Sequence, residues 1–281
     1  MPGRADGYRA AMTSAAQRWR DDLASWAIPD EILAAAPESP WILPAPMFTV
    51  PSAGVPDSPS HARAREALPA GGSVLDVGCG GGRAAMALVP PAARVIGVDE
   101  RASMLELFAT AAREREVAHQ VVEGRWPDAA PGTPVADVVV CHHVVYNVAD
   151  LPPFLHALTA HARSRVVVEL PVHHPLTHMA PLWREFWGLE RPTVPTAQDC
   201  LEVAREAGID ARLETWLEDP FESRTALTPE EHARAMRIRL CLPAEREPEV
   251  ARFLEAHRGE GPRETATLWW DAAPAPDEAV S

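Results

Sequence analysis

Short runs of apolar residues punctuate the chain at regular intervals, and amphipathic stretches separate them. Val74–Val77, Arg94–Asp99, Gln120–Glu123, Ala136–Cys141 and Arg165–Leu170 are rich in valine and isoleucine and short enough for strands. Most read as near-continuous apolar runs, the pattern of strands buried on both faces of a parallel sheet. Helical spacing recurs between them, over His61–Leu68, Arg83–Leu88, Ser103–Glu116 and Leu151–Ala162. Strand alternating with helix predicts an α/β, doubly wound, mostly parallel sheet. Thr196–Ala207 is a further helix, with Thr196 as N-cap, Asp199 completing a variant capping box and Gly208 as stop. Arg212–Trp216 is a sixth strand; helices over Thr228–Cys241 and Glu247–His257 precede the aromatic and β-branched run Glu264–Trp270, which reads as the last strand.

Ahead of the first strand the pattern changes. Tyr8–Trp26 predicts an amphipathic helix whose stripe is Met12, Ala15, Ala16, Trp19, Leu23 and Trp26, and a short second helix follows over Pro29–Ala36. Pro37–Pro59 is too rich in proline for regular structure and reads either as a linker or as a strap across a ligand-binding mouth. The expected organisation is a helical N-terminal extension or cap over 1–60, a doubly wound domain over 61–271, and a disordered Pro/Ala/acidic tail over 272–281.

The chemistry concentrates behind the first strand, in Gly78-Cys79-Gly80-Gly81-Gly82. A phosphate-gripping P-loop needs a lysine, and the chain has none. The dinucleotide fingerprint fits only when started at Gly80, with Ala85 as third small residue, which begins the loop late. The better frame is acidic-x-Gly-x-Gly-x-Gly, supplied by Asp76, Gly78, Gly80 and Gly82. A carboxylate there repels pyrophosphate but suits a ligand carrying an ammonium and a sulfonium. Asp99, closing the next strand, stands where an acid that binds both hydroxyls of a ribose is expected.

On these residues the chain resembles the class I S-adenosylmethionine (SAM)-dependent methyltransferases. The resemblance implies SAM as cofactor and a Rossmann-like, seven-stranded sheet whose last strand inserts antiparallel between the fifth and sixth. The helical pair before that strand is then an insertion. It implies cofactor contacts from Asp76, Gly78, Cys79, Gly80, Gly82 and Asp99, with Glu100 and Met104 flanking the adenine and with Cys141 and His142 at the end of the fourth strand. Family members often carry an acidic or small polar residue behind the third strand, near the adenine amino group. Arg125 and Trp126 stand there instead, leaving a backbone N–H or the indole face to serve.

In open α/β sheets ligands bind beyond the carboxyl ends of the strands. His142, His143, Tyr146 and Asn147 emerge there and are the candidates to face the transferable methyl, with His143 or His142 as the base where the nucleophile is protonated. Trp183 and Trp187 share a helix face and form either an aromatic wall over the substrate or core. His173, His174 and His178 match no familiar ligand spacing, and no metal is expected.

A formal charge of −14 disfavours nucleic acid and anionic membrane surfaces as partners. No apolar run is long enough to span a bilayer, no signal peptide is evident, and the four cysteines form no C-x-x-C, so reduced thiols and a cytoplasmic location are expected. The bias toward alanine, proline and arginine marks a bacterial-type composition. Methyl transfer from SAM to an O, N, S or C nucleophile of a small molecule is the leading reading. The alternatives are a non-catalytic SAM-binding interaction protein and a nicotinamide-dependent reductase.

Overall fold

Seven strands form one sheet in the order β3-β2-β1-β4-β5-β7-β6. The computed structural model describes residues 13–41, 48–51, 54–218, 227–257 and 263–272. The strands are β1 Ser73–Val77, β2 Arg94–Asp99, β3 Ala118–Glu123, β4 Ala136–His142, β5 Ala162–Pro171, β6 Arg212–Glu218 and β7 Arg263–Asp271. Strands β1 to β5 pair in parallel, and β7 runs antiparallel between β5 and β6, as the resemblance implied. Their carboxyl ends therefore share one edge. In register, Asp76 stands beside Gly97, Asp99 beside Glu123 and His142 beside Glu169.

The helices are α1 Ala15–Ala24, α2 Asp30–Ala34, α3 Pro59–Ala67, α4 Arg83–Met86, α5 Ala102–Glu114, α6 Leu151–Ala160, α7 Ala180–Trp187, α8 Ala197–Glu206, α9 Pro229–Arg239 and α10 Glu247–Ala256. Thr196 and Asp199 form both halves of the capping box that starts α8. Several expected helices are shorter, and at two the backbone shows why. Behind the glycine turn α4 stops at Met86; Leu88 and Val89 donate to carbonyls three residues back, and Pro90 and Pro91 bar continuation. α9 ends at Arg239, because Cys241 takes a left-handed φ of +58° and Leu242 N–H turns back to Arg237 O at 3.1 Å.

Three apolar clusters hold the layers together. One face of the sheet packs on α6 and α8, and α1 joins it through Trp19, which is fully buried there. The opposite face packs on α3, α4 and α5. A separate helical cluster joins Ile28 and Ile32 of the N-terminal region to Met179, Leu182 and Trp183 of the segment behind β5 and to Met236, Leu240 and Val250 of the insertion before β7. The N-terminal residues are thus divided: α1 completes the main core, whereas α2 belongs to the helical cluster. The expectations for residues 1–12 and for most of the tail, 273–281, lie outside the described residues.

Candidate active site

The glycine turn is pinned to the neighbouring strand before any ligand arrives. Gly78 and Cys79 N–H both donate to Val98 O, at 2.8 and 3.0 Å. Gly78 has φ +70° and Gly80 φ +50°, backbone that side chains rarely adopt. A Cβ on Gly78 would lie 2.4 Å from Val144 Cγ2, so this glycine is required by the close approach of the turn behind β4. Among the described residues a Cβ on Gly80 would meet only the Phe48 ring, at 3.5 Å, so that ring is what stands over its backbone.

Two carboxylates organise this turn. Asp76 is buried beneath it and accepts Ala85 N–H at 3.1 Å, tying the strand end to the start of α4. Burial, opposed by that hydrogen bond and reinforced by Asp99, pushes its carboxyl up to about 7. Asp99 accepts Gly80 N–H on one oxygen and Arg101 N–H on the other, each at 3.0 Å. Each oxygen keeps a lone pair for a further donor. Glu100 is exposed beside it, and Met104 is buried at the start of α5.

The proline-rich segment crosses this turn. Phe48 lies against Gly80 and Gly81, so closely that a Cβ on Gly81 would lie 2.0 Å from Phe48 O. The Arg101 guanidinium stands 5.3 Å over the Phe48 ring. Within that segment, Phe48 lies as a strap on the glycine turn.

A second cluster forms where β4 and β5 end side by side. His143 takes a left-handed φ of +60°, its N–H donates to Glu169 O at 2.8 Å, and its Nε2 stands 3.2 Å from Glu169 Oε1. Such a backbone in a residue other than glycine is retained where the surroundings hold it. Ser58 Oγ donates to Glu169 Oε2 at 3.1 Å, and His142 Nδ1 lies 3.7 Å from Oε1. The His61 ring stacks on His142 at 5.6 Å. Burial disfavours the Glu169 charge, but the adjoining imidazoles, first His142 and then His143, outweigh it and hold the carboxyl below its usual range. Burial also pushes His142 down to about 4 against the pull of Glu169, and its Nε2 has no hydrogen-bond partner among the described residues. His142 is thus a neutral, enclosed imidazole near pH 7. The His143 side chain is 46% exposed, which makes it the one open to a reacting partner.

The remaining sequence-derived candidates scatter. Cys79 and Cys141 are buried thiols packed in the core clusters. Trp126 turns inward, donating to Phe154 O at 3.4 Å, while Arg125 is exposed. Tyr146 stacks on Trp19 at 5.5 Å and donates to Pro171 O at 2.9 Å; Asn147 beside it is exposed. Trp183 is buried in the helical cluster, and Trp187 donates to Leu240 O at 2.8 Å. His174 stacks on Trp26 and His178 contacts Pro175 O, and among the described residues no three His, Cys, Asp or Glu side chains converge as a metal site. Glu169, Ser58, His61 and Phe48 are the participants that sequence patterns missed. Glu169 was hidden as the one acid of β5, directly behind the apolar run Val166–Val168; that oddity was the available signal.

A family profile described as a methyltransferase domain matches residues 56–212, a span that takes in the glycine turn, Asp99 and the histidine cluster. The chain belongs to this methyltransferase family. It is a class I enzyme with SAM as its cofactor. The frame for a nicotinamide reductase is thereby set aside. Among solved structures, the chain is similar in fold to a cyclopropane-fatty-acyl-phospholipid synthase-like protein from Lactobacillus casei, with 16% identity, 86% of this chain and 98% of that one covered, and a TM-score of 0.50. It is also similar to the YcgJ protein from Bacillus subtilis, with 16% identity, 77% and 99% coverage and a TM-score of 0.49. No curated protein matches the chain. The residues present fit SAM: at Gly80 the turn carries no side chain and among the described residues is bounded only by the Phe48 ring, an acid with spare acceptor capacity stands at the β2 tip, and a buried acid whose carboxyl is pushed up lies beneath.

Proposed function

We propose that this methyltransferase acts on a small molecule, and that the nucleophile is an oxygen, nitrogen, sulfur or carbon atom presented at the carboxyl ends of β4 and β5. The observation that carries the reading is the pairing of the exposed His143 with buried Glu169 beside the glycine turn. A partner carboxylate orients an imidazole and stabilises its cation, the arrangement of a general base. With Nε2–H directed at Glu169, Nδ1 of His143 is the atom that takes a proton. Such a base favours a nucleophile that carries its proton on a heteroatom.

On this reading the Gly78–Gly82 backbone and Asp99 would hold the amino-acid and ribose parts of SAM, with Glu100 and Met104 at the adenine. Bound SAM supplies an already activated methyl, whose sulfonium leaves as a neutral thioether. Asp76 secures the turn from below and adds negative potential under a cationic ligand. Exposed Asn147 borders the acceptor's entry with Tyr146 buried behind it, while His142 and His61 fill the space behind Glu169 and keep water from it. Alignment in a dry site supplies most of the rate, through effective molarities on the order of 10⁵ M or more. The formal charge of −14 supports a small acceptor over nucleic acid or an anionic membrane surface, and no described helix is long and apolar enough to cross a membrane. The free buried cysteines suit a reducing cytoplasm.

The test is a thermal-shift comparison of SAM, S-adenosylhomocysteine (SAH) and NADH, followed by a screen of small nucleophiles for SAH release. SAM and SAH raise the melting temperature, NADH does not, and at least one small acceptor releases SAH in a His143-dependent manner. Release only with protein or nucleic acid acceptors would refute the small-molecule reading.

A further inference from the structure

Glu169 divides its two oxygens between two elements. Oε1 faces the imidazoles at the end of β4, with His143 Nε2 at 3.2 Å and His142 Nδ1 at 3.7 Å. Oε2 faces the start of α3, where Ser58 Oγ donates to it at 3.1 Å. Ser58 is the N-cap of α3, and its Oγ also accepts His61 N–H at 3.3 Å. The cap bond occupies an acceptor position and fixes the oxygen, which leaves the hydroxyl proton to point at the carboxylate.

Ser60 backs this contact from inside. It is fully buried, and its hydroxyl lies 2.7 Å from Thr267 Oγ1, on the β7 residue paired with Glu169. Trp216 Nε1–H already donates to Thr267 Oγ1 at 3.1 Å, so the threonine proton can pass to Ser60 and the Ser60 proton to Glu169. Burial works against the Glu169 charge; the imidazoles of His142 and His143 oppose it, and a hydrogen bond from Ser60 adds to them. The titratable groups facing the carboxylate are these two imidazoles and His61, which stands on α3 itself.

The Ser58 contact is not what docks α3. Arg63 reaches both oxygens of Glu214, at 3.1 and 2.8 Å, and its guanidinium lies 4.6 Å over the Trp269 ring. Arg165 Nη1 donates to Arg63 O at 3.0 Å and to Glu66 Oε2 at 2.9 Å, and Ala64 is fully buried between them. A buried carboxylate is a costly way to fasten a helix already held along its length. We propose that Ser58, backed by Ser60, is a positioning residue for methyl transfer: it holds Oε2 of Glu169 so that Oε1 stays turned to the His143 imidazole that takes the acceptor's proton. This rests on the general-base reading and gives α3 a part in it. Without the hydroxyl, Oε2 is a buried acceptor that has lost its partner, and the carboxylate turns away or takes up a proton, loosening its hold on His143 in both cases.

The experiment compares Ser58→Ala, Ser58→Gly and Ser58→Thr in the SAH-bound full chain. The Glu169 carboxyl carbon is followed by NMR across pH and assigned by its loss in Glu169→Gln. Removing the donor raises the pH at which Glu169 takes its proton by about one unit or more in the alanine and glycine variants, whereas Ser58→Thr, which keeps the hydroxyl, stays with the wild type. With any acceptor that releases SAH, kcat falls by about tenfold in the same two variants while KM and the SAH Kd stay within about twofold, and Ser58→Thr restores most of the rate. The SAH response persists in every variant, which certifies the fold. Alanine and glycine separate the donor from the cap, because glycine caps a helix almost as well as serine and alanine does not. An unchanged titration, a loss in Ser58→Ala that Ser58→Gly spares, or a shifted titration with unchanged kcat would overturn the proposal and leave Ser58 a helix cap. Full His143-dependent SAH release by Glu169→Gln would instead overturn the general-base pairing itself, whatever the serine variants do.

Discussion

Nε2 of His143 stands 3.2 Å from Oε1 of Glu169, and the same two residues share a backbone hydrogen bond, His143 N–H to Glu169 O at 2.8 Å. Side chain and main chain are thus fixed together across the ends of β4 and β5. If this pair deprotonates the acceptor, His143→Ala lowers kcat by about 10² to 10⁴-fold without weakening SAH binding. Glu169→Gln, which keeps shape but removes the charge, has a smaller effect in the same direction. His142→Asn leaves the rate within a few-fold of wild type. Steady-state kinetics with SAH calorimetry separates these outcomes; equal losses in the two histidine variants would rule out His143 as the specific base.

Asp99 joins the turn to the β2 tip through Gly80 N–H and Arg101 N–H. Hydrogen bonds to a charged group contribute roughly 1.5–3 kcal/mol each. With ribose hydroxyls as additional donors, Asp99→Ala raises the SAM Kd by at least about 100-fold and abolishes the thermal shift at moderate SAM. Calorimetry checks this, and retained affinity in a folded Asp99→Ala protein would exclude the ribose role.

The strap makes a kinetic prediction. Phe48 covers the turn at Gly80 and Gly81, so it must move for a ligand to reach that backbone. Phe48→Ala therefore speeds both association and dissociation of SAH by several-fold, with Kd changing less than either rate. Stopped-flow tryptophan fluorescence reads both, and unchanged rates would mean that the ligand enters by another path.

The centre of the sheet was legible because β1, β2 and β4 are mostly buried and leave a dense apolar signal, and because the glycine turn and Asp99 sit at fixed chain positions relative to them. The histidine cluster was legible only by location. Its partners come from afar: Ser58 lies 111 residues before Glu169, and no local pattern encodes such a contact. Trp126 illustrates the opposite failure. Its place behind β3 invited an adenine contact, yet the indole N–H finds Phe154 O within the core, where an aromatic of that size removes most apolar surface from water.

The buried acid under the turn predicts an unusual pH response. Asp76 titrates at about 7 in the folded chain against an ordinary 3.8, so between those values the native state holds a proton that the unfolded state has lost. Its contribution is therefore fully present below about pH 3.8 and is lost as pH rises through 7, by several kcal/mol. His142, His174 and His178 act in the other direction. Each lies near 4 folded against 6.5 unfolded, so their contribution is present above 6.5 and lost as pH falls toward 4. The opposed slopes partly cancel in the wild type. Asp76→Asn removes only the first, so its stability relative to wild type improves between pH 5 and pH 8 by about 2–3 kcal/mol, read from urea unfolding at the two pH values. A cationic ligand above this carboxyl favours its ionised form, so SAM binding near pH 7 releases a fraction of a proton in the wild type and less in Asp76→Asn, measurable by calorimetry in buffers of different ionisation enthalpy. A stability difference independent of pH would show that Asp76 is already ionised in the native state and that the turn rests on a fixed charge.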